Sequence, residues 1–132
     1  MEVNMRLALA GLLLVLTAVH LPTPANAQSM VAGTWSGSVT SPYGHSRPVN
    51  YRVAGTGDSL TITLTDSSGV NPVGFGELHL LGDTLRFTFA GGAQGSPVVC
   101  ALVRQTGGVY EGSCKDSQRR QGRMRMVPPR KP

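Results

Sequence analysis

The stretch Cys100-Ala101-Leu102-Val103-Arg104-Gln105-Thr106-Gly107-Gly108-Val109-Tyr110-Glu111-Gly112-Ser113-Cys114 decides the fold. Thr106-Gly107-Gly108 is turn punctuation, and the runs on either side alternate like strands, so the stretch predicts an antiparallel hairpin. If the chain doubles back at Gly107, residues whose numbers sum to 214 face each other, and Cys100 meets Cys114. A disulfide between them would close a loop of roughly 15 residues and restrict the unfolded chain by about 3 kcal/mol on the entropic account. The bond also sets parity. Val98, Cys100 and Leu102 share a face with Tyr110, Gly112 and Cys114.

The start of the chain places that hairpin in an oxidising space. Arg6 supplies a positive charge, Leu7 to Leu21 is almost unbroken apolar sequence, and Pro22-Thr23-Pro24 interrupts it. Ala25-Asn26-Ala27 then offers the small residues of a signal-peptidase site. Residues 1–27 read as a secretory signal. The alternative, a membrane anchor, needs about 20 apolar residues. The expected organisation is therefore a signal over 1–27, a β-barrel domain over 28–127 and a basic, proline-rich tail over 128–132. The product is secreted or periplasmic, with no transmembrane segment in the mature chain, and a disulfide suits that compartment.

Beyond the signal, short alternating runs are broken by Gly, Pro, Asp and Ser at spacings of about eight to twelve residues, the pattern of a sandwich or barrel. Eight strands are expected, over Thr34–Thr40, Pro48–Ala54, Ser59–Thr65, Phe75–Leu80, Thr84–Ala90, Pro97–Arg104, Val109–Lys115 and Gln121–Val127. Their connections are too short for crossover helices, so sequence neighbours should pair antiparallel. The inward rows read Trp35-Gly37-Val39, Val49-Tyr51-Val53, Leu60-Ile62-Leu64, Leu85-Phe87-Phe89 and Met124-Met126, together with the cysteine hairpin. One apolar face per strand predicts an all-β, eight-stranded antiparallel up-and-down meander barrel without a C-terminal helix. The fourth run leaves two registers open. Either Gly76, Leu78 and Leu80 point inward, or Phe75, Glu77 and His79 do, because a one-residue slip exchanges the faces.

Charge and motif content narrow the chemistry. The chain carries 12 Lys and Arg against 7 Asp and Glu, a net charge of +5. Lys115, Arg119, Arg120, Arg123, Arg125, Arg130 and Lys131 crowd its end against Asp116 alone. This basic face could meet an anionic envelope surface or a protein, or be an ordinary solvated strand with a frayed tail. Nucleic acid is not expected, since no aromatic residue interleaves with these arginines to stack on bases. No Gly-x-Ser-x-Gly, phosphate loop, His-Glu-x-x-His or calcium loop occurs, and the two cysteines have no histidine at ligand spacing. No enzyme, metal or cofactor is expected.

Gly33-Thr34-Trp35 at the start of the first strand, followed by the meander, resembles the opening of lipocalin-like (calycin) barrels. That resemblance implies a small hydrophobic ligand in the barrel, and an arginine, Arg123 or Arg125 here, packed across the Trp35 ring. The candidate ligand-contacting residues are Trp35, Tyr51, Phe87, Tyr110 and Met124. An eight-stranded barrel is wide enough either to be filled by its own side chains or to hold one small ligand. Gly37, Gly112 and the compact disulfide are expected to leave room on one wall. The alternative role is protein-directed: a periplasmic protease inhibitor or an envelope-interaction module.

Overall fold

Nine antiparallel strands form a single sheet rolled into a nearly closed barrel, in a computed structural model that describes residues 30–131. The expected signal over 1–27 lies outside the described residues. The strands are β1 (Gly33–Thr40), β2 (Ser46–Ala54), β3 (Thr61–Asp66), β4 (Val73–Gly74), β5 (Gly76–Leu81), β6 (Thr84–Ala90), β7 (Pro97–Arg104), β8 (Tyr110–Lys115) and β9 (Gln121–Val127). Single 3-10 turns at Gly57–Ser59, Ala93–Gly95 and Thr106–Gly108 interrupt the connections. No α-helix occurs among the described residues, and none follows β9.

The order around the barrel is β4-β3-β2-β1-β9-β8-β7-β6-β5. First and last strands pair, with Val39 opposite Met124, so the meander returns to its start. The two ends of the sheet, β4 and β5, are consecutive in sequence and separated only by Phe75. The chain passes from one edge of the sheet to the other along a single extended segment.

That passage corrects the strand count. The expected fourth strand, Phe75–Leu80, is β5 (Gly76–Leu81), and a further two-residue strand with a different partner, β4, precedes it. Val73 and Gly74 pair with β3, and Gly76 onward pairs with β6. The switch falls at Phe75, and a bulge follows it within β5. Gly76 faces Thr88 and His79 faces Arg86, so three steps on β5 match two on β6. Glu77 absorbs the extra residue with a left-handed backbone, φ 47°, a conformation that costs an ordinary residue about 1–3 kcal/mol. The bulge takes from both open registers. Phe75, Leu78 and Leu80 are all partly buried against the core, while Gly76, Glu77 and His79 are exposed.

Elsewhere the alternation holds. Trp35, Val49, Tyr51, Val53, Ile62, Leu64, Leu85, Phe87, Val98, Leu102, Met124 and Met126 form one core. Cys100 and Cys114 are bonded, with Cα atoms 4.1 Å apart, a spacing typical of a directly opposed pair. Phe75 joins the two sides of the passage. Its ring stacks on Phe87 with centroids 4.0 Å apart, and it meets Tyr51 edge-on at 6.3 Å.

The glycines do not leave the expected room. A Cβ on Gly37 would lie 1.9 Å from the Arg125 carbonyl oxygen, and one on Gly112 2.0 Å from that of Ala101. Backbone from the neighbouring strand fills the space, which is how these strands approach closely enough to curve. The tail is also more anchored than expected. Pro128 and Pro129 are half-buried and lie beside Gly108 and Gly33.

Candidate functional site: the mouth of the barrel

The five residues singled out in the sequence sit together at the centre of the core. Trp35, Tyr51, Phe87, Tyr110 and Met124 are each no more than 3 % exposed. Two of their polar groups are held by the protein itself. Trp35 Nε1–H donates to the Val31 carbonyl at 2.8 Å, and the Tyr51 hydroxyl donates to the Ser38 carbonyl at 3.2 Å. Burial pushes the Tyr51 phenol well above the ordinary tyrosine range, and burial likewise raises that of Tyr110. The side chains pack on one another, with Trp35 and Tyr110 ring centroids 6.1 Å apart. None of the five lines either of the open cavities described here.

Open space lies instead at one end of the barrel. Because neighbouring strands run antiparallel, the β1–β2, β3–β4, β6–β7 and β8–β9 connections gather there. They surround a mouth of about 520 Å³. Its floor is apolar: Val39, Leu64, Val73, Phe89 and Val98, with Cys114 among them. Three of these, Leu64, Val98 and Cys114, are 7–8 % exposed, whereas Tyr51, Leu85, Leu102 and Met126 are at 0 %. The core thins toward this end.

The rim is cationic. Arg47 stands opposite Val39 on the inward row that continues through Val49, Tyr51 and Val53, so a guanidinium occupies an inward position at the lip. Arg123 and His45 also line the mouth. Arg123 approaches Glu111 at 3.7 Å with both side chains exposed, a pairing worth at most about 1 kcal/mol. Arg120 is more constrained. Its Nε donates to Asp116 Oδ2 at 2.8 Å, its Nη1 donates to the Tyr43 hydroxyl, and its Cζ lies 5.6 Å from the centre of that ring. This links the β1–β2 turn to the β8–β9 loop across the mouth.

Carboxylates shape the loops from within. Asp116 Oδ1 accepts the Gln118 and Arg120 backbone N–H groups at 2.9 and 2.8 Å. Partial desolvation works against the Asp116 anion, but these bonds and the Arg120 side chain outweigh it and hold its pKa below the usual carboxylate value. Asp66 repeats the device in the β3–β4 loop. The Ser68 hydroxyl, at 2.6 Å, and the Val70 backbone N–H, at 2.9 Å, hold its pKa low. Three mouth loops also carry a non-glycine residue in the left-handed region: Asn71 at φ 59°, Gln94 at 58° and Arg119 at 64°. Strained backbone of this kind gathers at binding sites.

No protein-family model, curated protein or solved structure matches the chain. The lipocalin-like resemblance therefore rests on barrel architecture and Gly33-Thr34-Trp35. One of its implications is corrected by the geometry. Arg123 and Arg125 alternate with buried Met124 and Met126 and point away from the core, so neither packs across Trp35. Tyr110 is the aromatic neighbour of that ring.

Sequence reasoning missed the mouth residues for a specific reason. The expected second strand begins at Pro48, one residue after Arg47, whereas the inward row extends through Arg47. Of the other rim residues, His45 and Arg120 come from loops, where alternation carries no signal, and Arg123 from the outward row of β9. Among the described residues, no three His, Cys, Asp or Glu side chains gather as metal ligands, and no helix is long and apolar enough to cross a membrane.

Proposed function

We propose that the chain is an exported, non-enzymatic binding module that holds a small molecule with an apolar body and an anionic group in the mouth of its barrel. The observation that carries this is the apolar floor beneath an inward-row arginine. Val39, Leu64, Val73, Phe89 and Val98 offer a surface for the body, and Arg47 stands at the lip above it. The volume of about 520 Å³ falls within the roughly 300–1,000 Å³ typical of small-molecule pockets. A charge-assisted hydrogen bond from an arginine is worth about 1.5–3 kcal/mol, enough to select an anion over a neutral analogue. Export is supported by the bonded cysteines and by the reading of residues 1–27 as a signal.

The test is saturable binding of anilinonaphthalene sulfonate, which has an aromatic body and one sulfonate. The folded protein should bind it with rising fluorescence, and Arg47→Ser should weaken binding about tenfold, the equivalent of about 1.4 kcal/mol. A folded protein that leaves the dye dark and unbound contradicts the proposal.

A further inference from the structure

We propose a second site, at the opposite end of the barrel: the seam between β3 and β5 accepts an extended peptide segment of a partner protein by strand addition. β3 pairs with β2 along its length, but its other edge is covered only at Thr63 and Leu64, by β4. The last contact is the Phe75 N–H donating to the Ile62 carbonyl at 2.9 Å. From Gly76 the chain pairs with β6, and the Glu77 bulge follows. Thr61 on one side, and His79 to Leu81 on the other, then have a neighbouring strand on one edge alone, and Leu60 lies just before β3.

The opening is shaped for backbone and alternating side chains. A cavity of about 540 Å³ lies there, with Leu60, Leu78 and Leu80 on its walls and Met30 beneath. These leucines belong to inward rows and are half-buried, so they would receive every second side chain of an added strand. Proteins ordinarily blunt an edge with charge, proline or brevity. Here β5 is six residues long and ends in Leu80 and Leu81, the latter 65 % exposed.

Charge favours one kind of peptide. The chain as a whole is basic, at +5. Yet Asp58 lines this cavity, and Glu77 and Asp83 bracket the cavity's residues 78–82, against His79 in the lining and Arg86 opposite it. The fitting occupant alternates apolar residues, facing the leucines, with lysine or arginine facing outward. It needs no part of the mouth, so the two sites can be tested separately.

The experiment is selection from a displayed library of random ten-residue peptides on the immobilised protein. Selected peptides should alternate apolar and basic residues. On binding they should slow amide hydrogen exchange at Leu78 to Leu81 and at Thr61 by at least tenfold. N-methylating alternate amides of the best peptide should weaken it at least tenfold, a readout that needs no protein variant. Leu80→Ser, checked for folding by circular dichroism, should also lose the peptide. Peptides that bind equally well when N-methylated, exchange that does not change at the seam, or no enrichment from the library would each overturn the proposal.

Discussion

The wall made by β7, β8 and β9 and the passage made by β3, β4 and β5 are built by different means. In the wall the ladders are continuous, from Val99–Lys115 to Arg104–Tyr110 and from Tyr110–Met126 to Lys115–Gln121, and the disulfide ties two of the strands. In the passage a two-residue strand holds β3, the partner changes at Phe75 just before the Glu77 bulge, and a stack of Phe75 on Phe87 spans the break. The first region is fixed by unbroken pairing and a covalent bond; the second joins two sheet edges through a short pairing and one aromatic side chain. A barrel can thus be regular on one side and still have an opening on the other.

Removing the aromatic bridge should break this contrast most severely. Phe75→Ala deletes the contacts with Tyr51, Phe87 and Phe89. It should cost about 3–4 kcal/mol in urea unfolding, with exchange at β5 accelerated more than at β8. Removing the staple attacks the other region. The Cys100→Ala, Cys114→Ala double variant should lose about 3 kcal/mol, and its seam should retain the wild-type ranking of amide exchange. If both variants loosen β5 equally, the two regions are one cooperative unit.

The bulge offers a smaller and sharper test. Glu77→Gly tolerates the left-handed backbone and should change stability by less than about 1 kcal/mol, whereas Glu77→Val should cost about 1–2 kcal/mol, both read from denaturant midpoints. Equal costs would mean that the bulge is not where the chain turns. The smallest effect concerns the mouth loops and acid. Asp116 titrates below its unfolded value of about 3.9. Its contribution is therefore present above about pH 4 and is lost as pH falls through the depressed folded value. Wild type should be more stable than Asp116→Asn at pH 6, and the two urea midpoints should converge by about pH 2.

Much of the barrel was legible because one rule, inward and outward alternation, governs most of its residues. The numerical symmetry about Gly107 placed Cys100 opposite Cys114, and Leu60-Ile62-Leu64 and Met124-Met126 fell on the core side as their spacing requires. The rule has period two and is blind to a change of partner. Between Gly74 and Gly76 the partner changes from β3 to β6, and at Glu77 one added residue shifts the register, so neither β4 nor the bulge shows in the expected run Phe75–Leu80. The glycines misled for a related reason. Missing side-chain volume at Gly37 and Gly112 reads as space, but it lets adjacent backbone move in. The ligand-facing choice favoured large aromatics, yet these residues are the core itself. The open mouth is lined by the ends of strands, by the loops that join them and by Arg47, whose place on the inward row shows only when the alternation is followed one step back past Pro48.

The central claim is that the lumen is filled and that the mouth does the binding. It is tested most directly by titrating the isotope-labelled protein with dodecanoate and following backbone amide resonances. The account predicts saturable shifts at Val39, Arg47, Leu64, Val73, Phe89 and Val98, with Trp35, Tyr51 and Tyr110 unchanged. Saturable shifts centred on Trp35, Tyr51 and Tyr110, with the mouth unaffected, would contradict it.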